Sequence, residues 1–366
     1  MVLRITATLC VLVAMVTAAC ASDVNIGSYA RSVAMGGAGL ALIDNAASSS
    51  VVNPAAGIAS GSKFQFIFPS IDLHSRGASI QELRDRTSEV SSGDTDDALT
   101  LAKEFGDHQT SLTLGFTTGF AGGLGVRAEG EAQALVNPGA NFSNWVQAGA
   151  PTTLAGITPL LATGQTPDQY AASLTTDTYV EGKYIYSLPT ITCGKGFGTG
   201  NGKLWLGTKL QWLDSEVRRW DITSAYSDAA GLTVDAVEVA KQEDSGLGAD
   251  LGMIFQPKNS SMQWGLVVNN LINPSLKGIN TERMFSAGIA SRVSPNLVYA
   301  MDLVNINKAY NEKTKLRMGL EMNVLSNFAL RAGYTGDEFT WGFEAFGINV
   351  AFCDNAPTMI SQILRY

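Results

Sequence analysis

From about residue 63 onward the chain alternates apolar and polar residues with a period of two, the pattern of a sheet that is apolar on one face only. In LWLGTKLQW, residues 204 to 212, Leu204, Leu206, Leu210 and Trp212 fall on one face and Lys209 and Gln211 on the other. KLRMGLEMNV repeats this, with Leu316, Met318, Leu320 and Met322 against Lys315, Arg317 and Glu321. SLTLGF, GLGADLGMIF, MQWGLVVNN, MFSAGIASRV, NLVYAMDLV, FALRAGY and FTWGFEAF continue the pattern, and INVAF and MISQILRY close it. With one strand placed before SRGASIQEL, the count is about fourteen, an even number as single-chain bacterial barrels require.

A soluble sandwich alternates in the same way, so the connections carry more weight. They run short at Ala121 to Gly123, long from Pro138 to Val180, modest at Gly194 to Gly202, longer from Asp221 and short at Pro257 to Ser260. Later ones continue in that sense: INPSLKGINTE long, SPN short, NKAYNE longer, LSN short. Outer-membrane barrels keep short periplasmic turns and longer outer loops. The expected fold is therefore all-β, a transmembrane antiparallel β-barrel. Phe255, Trp264, Tyr299, Phe328 and Tyr366 then fall near the periplasmic turns, and Tyr334 and Trp341 near the outer loops, as interfacial aromatics do.

The N-terminus supplies the context. Arg4, the apolar run Leu9 to Val16 and Ala19-Cys20-Ala21 have the order of a secretory signal peptide, residues 1–21. Cys20 leaves a lipidated N-terminus open as another reading, against a poor lipobox. No later run is apolar over the ~18 residues a membrane helix needs, so insertion must use strands. A formal net charge of −8 and no basic patch argue against a nucleic-acid partner. Cys193 and Cys353 alone remain after the leader; with the barrel wall between them they are expected to be free thiols.

Little of the chain suggests catalysis. His74 and His108 sit at the edges of the first long loop with no distinctive serine and carboxylate beside them. Asp94, Asp96 and Asp97 lack the further ligands of a calcium loop and read as a solvated cluster. GKGFGTGNGK, residues 194 to 203, fails the phosphate-loop pattern in spacing and lacks the following helix, so a flexible periplasmic turn is expected there. No enzyme activity, cofactor or metal is expected. Arg127, Glu129, Glu131, Lys209, Asp250, Asp302, Arg317, Glu321, Arg331 and Glu344 would point into the barrel with both signs interleaved, as in a closed or plugged lumen.

One stretch has no bulky core residues: ARSVAMGGAGLALIDNAASSSVVNPAAGIASG, residues 30 to 61. Its Ala-Arg, Met-Gly-Gly-Ala-Gly and Asn-Pro-Ala elements, in that order, resemble the N-terminal signature of the FadL-like superfamily of outer-membrane barrels. The C-terminal half resembles the shorter branch of that superfamily, the PorV-like and TraF-like conjugal-transfer proteins. The resemblance implies residues 22–60 as a plug or hatch carrying Gly36, Gly37, Gly39, Asn53 and Pro54, with Asn53 and Pro54 near the periplasmic mouth, and residues 61–366 as the barrel. Long outer loops at 75–108 and 138–180 lie outside the likeness. The second carries Phe142, Trp145, Val146, Leu160, Leu161 and Tyr170, an apolar excess that could form a ligand groove or a partner patch. Two functions follow as expectations. One is passive uptake of hydrophobic small molecules across the outer membrane of a Gram-negative-type bacterium, with membrane lipid as the surroundings. The other is a non-transporting component that binds secretion or conjugation proteins.

Overall fold

The alternation becomes a closed antiparallel barrel in the computed structural model, which describes residues 30–43, 52–59, 65–75, 110–120, 124–137, 139–353 and 356–365. The strands are β1 (Gln65–Ser75), β2 (Thr110–Phe120), β3 (Leu124–Asn137), β4 (Tyr179–Thr199), β5 (Gly202–Ser227), β6 (Gly231–Pro257) and β7 (Met262–Ile272). They continue as β8 (Met284–Ser294), β9 (Leu297–Val304), β10 (Lys315–Leu325), β11 (Phe328–Tyr334), β12 (Phe339–Ala345), β13 (Ile348–Cys353) and β14 (Ala356–Arg365). Each pairs with its sequence neighbours, and β1 closes on β14 with Gln65 opposite Arg365. Closure leaves no sheet edge within the ring, which is what allows a sheet to sit in hydrocarbon.

Among the described residues, the connections at one end of the barrel are tight turns, such as Gly200-Asn201 between β4 and β5 and Ser326-Asn327 between β10 and β11. The other end carries the long connections. Two of the expected connections are strand instead. β4 runs on to Thr199, so most of GKGFGTGNGK is ladder, and the stretch after Asp221 is the far part of a hairpin in which β5 has 26 residues and β6 has 27. A barrel strand crosses a membrane in 9–11 residues. The surplus of β5 and β6 therefore stands beyond the long-loop end.

The helices of the β3–β4 connection pack against that surplus. Ala140–Gln147, Leu154–Ile157 and Pro167–Leu174 bury Phe142, Trp145, Ile157, Tyr170 and Leu174 against Ile222 of β5 and Leu232 of β6. Thr166 opens the last helix as a capping box with Gln169, followed by Pro167 at its first turn. The apolar side chains expected to form a groove or patch are thus consumed by a local core. Phe142, Trp145 and Tyr170 are buried, and Leu160 is partly buried against them. Burial also raises the Tyr170 phenol above its ordinary value. The expected signal peptide, residues 1–21, the β1–β2 loop with Asp94, Asp96, Asp97 and His108, and Tyr366 lie outside the described residues.

Burial in the wall is inverted relative to a water-soluble protein. Trp264 and Leu320 are 53% and 46% exposed, while Lys209, Asp250, Asp302 and Arg331 are 5% or less. Apolar side chains turned outward on strand after strand are stable against hydrocarbon and costly against water. Cys193 of β4 is a free thiol, and β14, β1, β2 and β3 lie between β4 and β13, the strand that Cys353 ends.

The closed ladder predicts that the mature chain, extracted in detergent, migrates faster on a denaturing gel unboiled than boiled. Recovery as a soluble protein with no such shift would contradict a closed barrel.

Candidate functional site

Residues 30–43 and 52–59 lie against the inner face of the barrel. The chain begins with a short helix, α1 (Ala30–Ala34), and leaves it through two glycines. Gly36 N–H donates to Val33 O at 2.9 Å and Gly37 N–H to Ser32 O at 2.8 Å, the paired bonds that close a helix when the residue after its cap is left-handed. Gly36 has φ +67° and its backbone runs against Tyr334, so a Cβ would sit 2.4 Å from the Tyr334 amide nitrogen. Glycine is needed at this position for both conformation and space.

The wall is shaped to match. Among the described residues, eight strands place a glycine on their inner face, three to six residues from the short-turn end: Gly194, Gly207, Gly252, Gly265, Gly288, Gly319, Gly333 and Gly342. A Cβ on Gly207 would meet the Pro54 carbonyl at 2.5 Å, on Gly265 the Leu40 oxygen at 2.5 Å, on Gly319 the Met35 oxygen at 2.5 Å and on Gly333 the Gly36 nitrogen at 2.1 Å. On Gly194 it would strike the Ile58 side chain, and on Gly342 the Ala34 Cβ. The glycines form a belt at nearly constant height, and the N-terminal segment occupies the space their missing side chains leave. Alanines of the segment complete the fit: Ala30 and Ala34 pack on Ala351, and Met35, Ala38 and Ala41 pack on Ala290, Val298 and Ala300.

Polar ties fix the segment in register. Arg31 binds Glu321 in a fork, Nε at 2.7 Å and Nη2 at 3.0 Å. Glu321 also receives Arg331 Nε at 2.6 Å, and Arg331 reaches Glu344 at 2.7 Å and Asn349 at 2.8 Å. Two guanidinium groups thus balance two carboxylates, a condition under which buried charge is tolerable. Asp302 accepts from the Gly39 and Leu40 amides at 2.6 and 3.0 Å. Asn53 joins the two halves of the segment: its Nδ2 donates to Leu40 O at 2.6 Å and to Met253 O of β6 at 3.2 Å, and its Oδ1 accepts from Ala55 N–H at 3.0 Å.

Above this belt lies a polar layer, in which Lys209 pairs with Asp250 at 2.6 Å and the Asn270 amide donates to Asp250 at 2.8 Å. Higher still the connection between β7 and β8 folds inward. Leu276 packs on Ile185 and Leu213, with Ile279 beside them, and Gly278 lies against Val217. That connection is braced by Tyr310, between β9 and β10, whose amide donates to Glu282 at 2.7 Å, and Asn280 donates to the same carboxylate at 2.9 Å. The Tyr310 bond, helped by Asn280, holds the Glu282 carboxyl below its ordinary value.

Comparison with known proteins places this architecture. A family model described as the F plasmid transfer operon TraF protein matches residues 38–334, most of the chain. The chain belongs to this TraF family. Its fold is also that of the FadL-type barrels. It is similar to a monoaromatic hydrocarbon channel, TodX with S2 and S3 deleted, at a TM-score of 0.55 and 11% identity, over 92% of this chain and 97% of that one. The Pseudomonas putida toluene transporter TodX matches at a TM-score of 0.50 and 13% identity, over 92% and 96%. Curated protein sequences include no match.

The structure brings together Gly36, Gly37, Gly39, Asn53 and Pro54 of this TraF-family barrel on one inner wall. It departs from expectation in height: Asn53 and Pro54 sit at the level of Gly207 and Gly252, five residues inside the strand ends, because their contacts are to the glycine belt rather than to the rim. Lys209, Asp250, Asp302, Glu321 and Arg331 are buried on the inner face as expected, and the side chains of Arg127, Glu129 and Glu131 lie outside the described set. Sequence reasoning missed the belt, although each of its glycines from β5 to β12 shares strand parity with an inward residue.

Two outcomes test this arrangement. Gly333→Val drives a side chain into the Met35–Gly36 backbone, so a cysteine placed at Ala34 should become reactive to a bulky maleimide in that background and stay protected without it. Equal labelling in both would contradict the seating. Glu321→Ala leaves Arg31 and Arg331 buried without their shared carboxylate and should cost about 3–5 kcal/mol in urea unfolding from detergent.

Proposed function

We propose that this chain is an outer-membrane barrel for passive uptake of hydrophobic small molecules, with residues 22–60 acting as its plug. The observation that carries the reading is the layered lumen: a buried apolar cluster of Ile185, Leu213 and Leu276 stands above a segment that is attached to the wall by side-chain ties and close contacts. A solute that parts Leu276 from Ile185 and Leu213 would enter apolar surroundings, and the segment closes the path beneath. The likeness to hydrocarbon channels in fold supports the same reading. The short-turn end then faces the periplasm, where both ends of the barrel sheet lie.

A second reading is favoured by the polar layer. Lys209, Asp250 and the Arg31–Glu321–Arg331–Glu344 chain set charged groups across the lumen among the described residues, where an apolar solute would have to pass. On that reading the barrel is a binding component for a secretion or conjugation apparatus, in keeping with the family's description.

Deletion of residues 22–60 should leave a folded barrel, since no ladder bond is lost, and should open a water-filled path. In planar bilayers the truncated chain is expected to conduct ions where the full chain conducts little. Cells carrying the full chain should also accumulate an apolar aromatic dye faster than cells carrying Leu276→Asp. Equal conductance of the two chains, with dye accumulation unchanged by Leu276→Asp, would favour the binding component.

A further inference from the structure

The outward face of the wall has a recess of about 460 Å³ across β5 to β9. Its rim is apolar, with Met253, Phe255, Trp264, Leu266, Ile289 and Leu303 among its residues; Gly265 and Gly288 line it as well, and the carboxyl of Asp302, which faces inward, lies behind Gly288. These two glycines face each other across the β7–β8 ladder, and Gly265 carries Leu40 and Ala41 on its other side. The recess opens outward where Ala287, a small side chain, stands between Leu266 and Leu303 of the neighbouring strands, and the inward-facing Gly265 and Gly288 put only backbone between it and Leu40. The recess is close to the short-turn end: Leu204, Phe255 and Trp264 lie two residues from the ends of β5, β6 and β7. Phe255 and Trp264 meet edge to face at 6.4 Å, and both line the recess.

The charge beside and below the recess is one-sided, with Lys195 level with Met253 through Leu206 and Lys258 in the turn beneath. Residues 194–206, 254–264 and 289–299, which make up the three turns beneath it and the strand ends beside them, contain Lys195, Lys203, Lys258 and Arg292 and no Asp or Glu, in a chain of net charge −8. Lys195 is on the outward face, its ammonium 5.9 Å from the centre of the Phe197 ring, and Phe197 pairs with Leu204 at the edge of the recess. Lys258 is exposed in the turn after β6, and its amide donates to Asn201 O in the neighbouring turn at 2.8 Å.

We propose that this region binds one anionic phospholipid from the leaflet at the short-turn end, an acyl chain in the recess and the phosphate between Lys195 and Lys258. The inference rests on the membrane-barrel reading but not on transport. An apolar groove on a lipid-facing wall is covered by lipid tails, and the basic border selects the headgroup, since a cation at the membrane surface attracts anionic lipid and gains little from a zwitterion.

The test uses the full mature chain in a nonionic detergent, equilibrated with dioleoyl phosphatidylglycerol or dioleoyl phosphatidylcholine at equal mole fraction and weighed intact by native mass spectrometry. One phosphatidylglycerol should be retained in preference to phosphatidylcholine. Lys195→Gln and Lys258→Gln should each lower that preference roughly fivefold, and together should abolish it. Ala287→Phe, which fills the recess from its lining, should reduce retention of both lipids. Equal retention of the two lipids, or a preference unmoved by the lysine substitutions, would overturn the site. Should Ala287→Phe fail to fold, the lysine pair still decides. Loss of the unboiled gel shift in the unsubstituted chain would instead overturn the barrel itself.

Discussion

Backbone lying directly on backbone at the inner wall is the constraint on which the rest of this structure depends. A closed sheet of fourteen strands is too wide for its own inward side chains to fill. Something must occupy the lumen or water will. Here the occupant is the chain's own N-terminal segment, and it fits because glycine recurs on the inner face at one height, from Gly194 to Gly342. The segment reciprocates with alanine and glycine, so the two surfaces meet without the interlocking of large side chains that a soluble core uses.

Close packing alone would leave the segment free to slide along a smooth belt. The polar ties supply the register. Arg31 meets Glu321, the Gly39 and Leu40 amides meet Asp302, and Asn53 binds both the segment and β6. These bonds lie in a lumen shielded from bulk solvent, where an unmade bond is expensive and a made one is directional. The charge-balanced chain through Arg331 to Glu344 extends the anchor over β10, β11 and β12. On the exterior, the small side chain of Ala287 between Leu266 and Leu303 leaves a recess facing lipid.

Most of the barrel was legible in sequence, because one face of every membrane-crossing strand must be apolar and period two survives without knowledge of partners. Closure and strand order followed from loop lengths that separate to the two ends. The far parts of β5 and β6 were not legible as strand, since DITSAYSDAAGLTVDAVEV stands beyond the membrane and has no uniformly apolar face. The helices between β3 and β4 were hidden for a related reason: Phe142, Trp145 and Tyr170 read as surplus apolar surface until β5 and β6 are long enough to cover them. The glycine belt was invisible strand by strand. Gly207 in LWLGTKLQW and Gly319 in KLRMGLEMNV share parity with Lys209 and Glu321, but only the barrel register shows them to be level with each other. Asn53 and Pro54 were recognisable as a motif, and their depth became clear only with the wall in place.

The central claim is that residues 30–43 and 52–59 are seated inside the closed barrel on that belt. A direct measurement is the formation of a disulfide between cysteines placed at Ala34 and Ala351, which pack together in the lumen, in a mature chain with Cys193 and Cys353 replaced by serine. Mild oxidation of the folded protein in membranes should link the pair nearly completely. A barrel that keeps its unboiled gel mobility yet forms no link would show that the segment lies elsewhere.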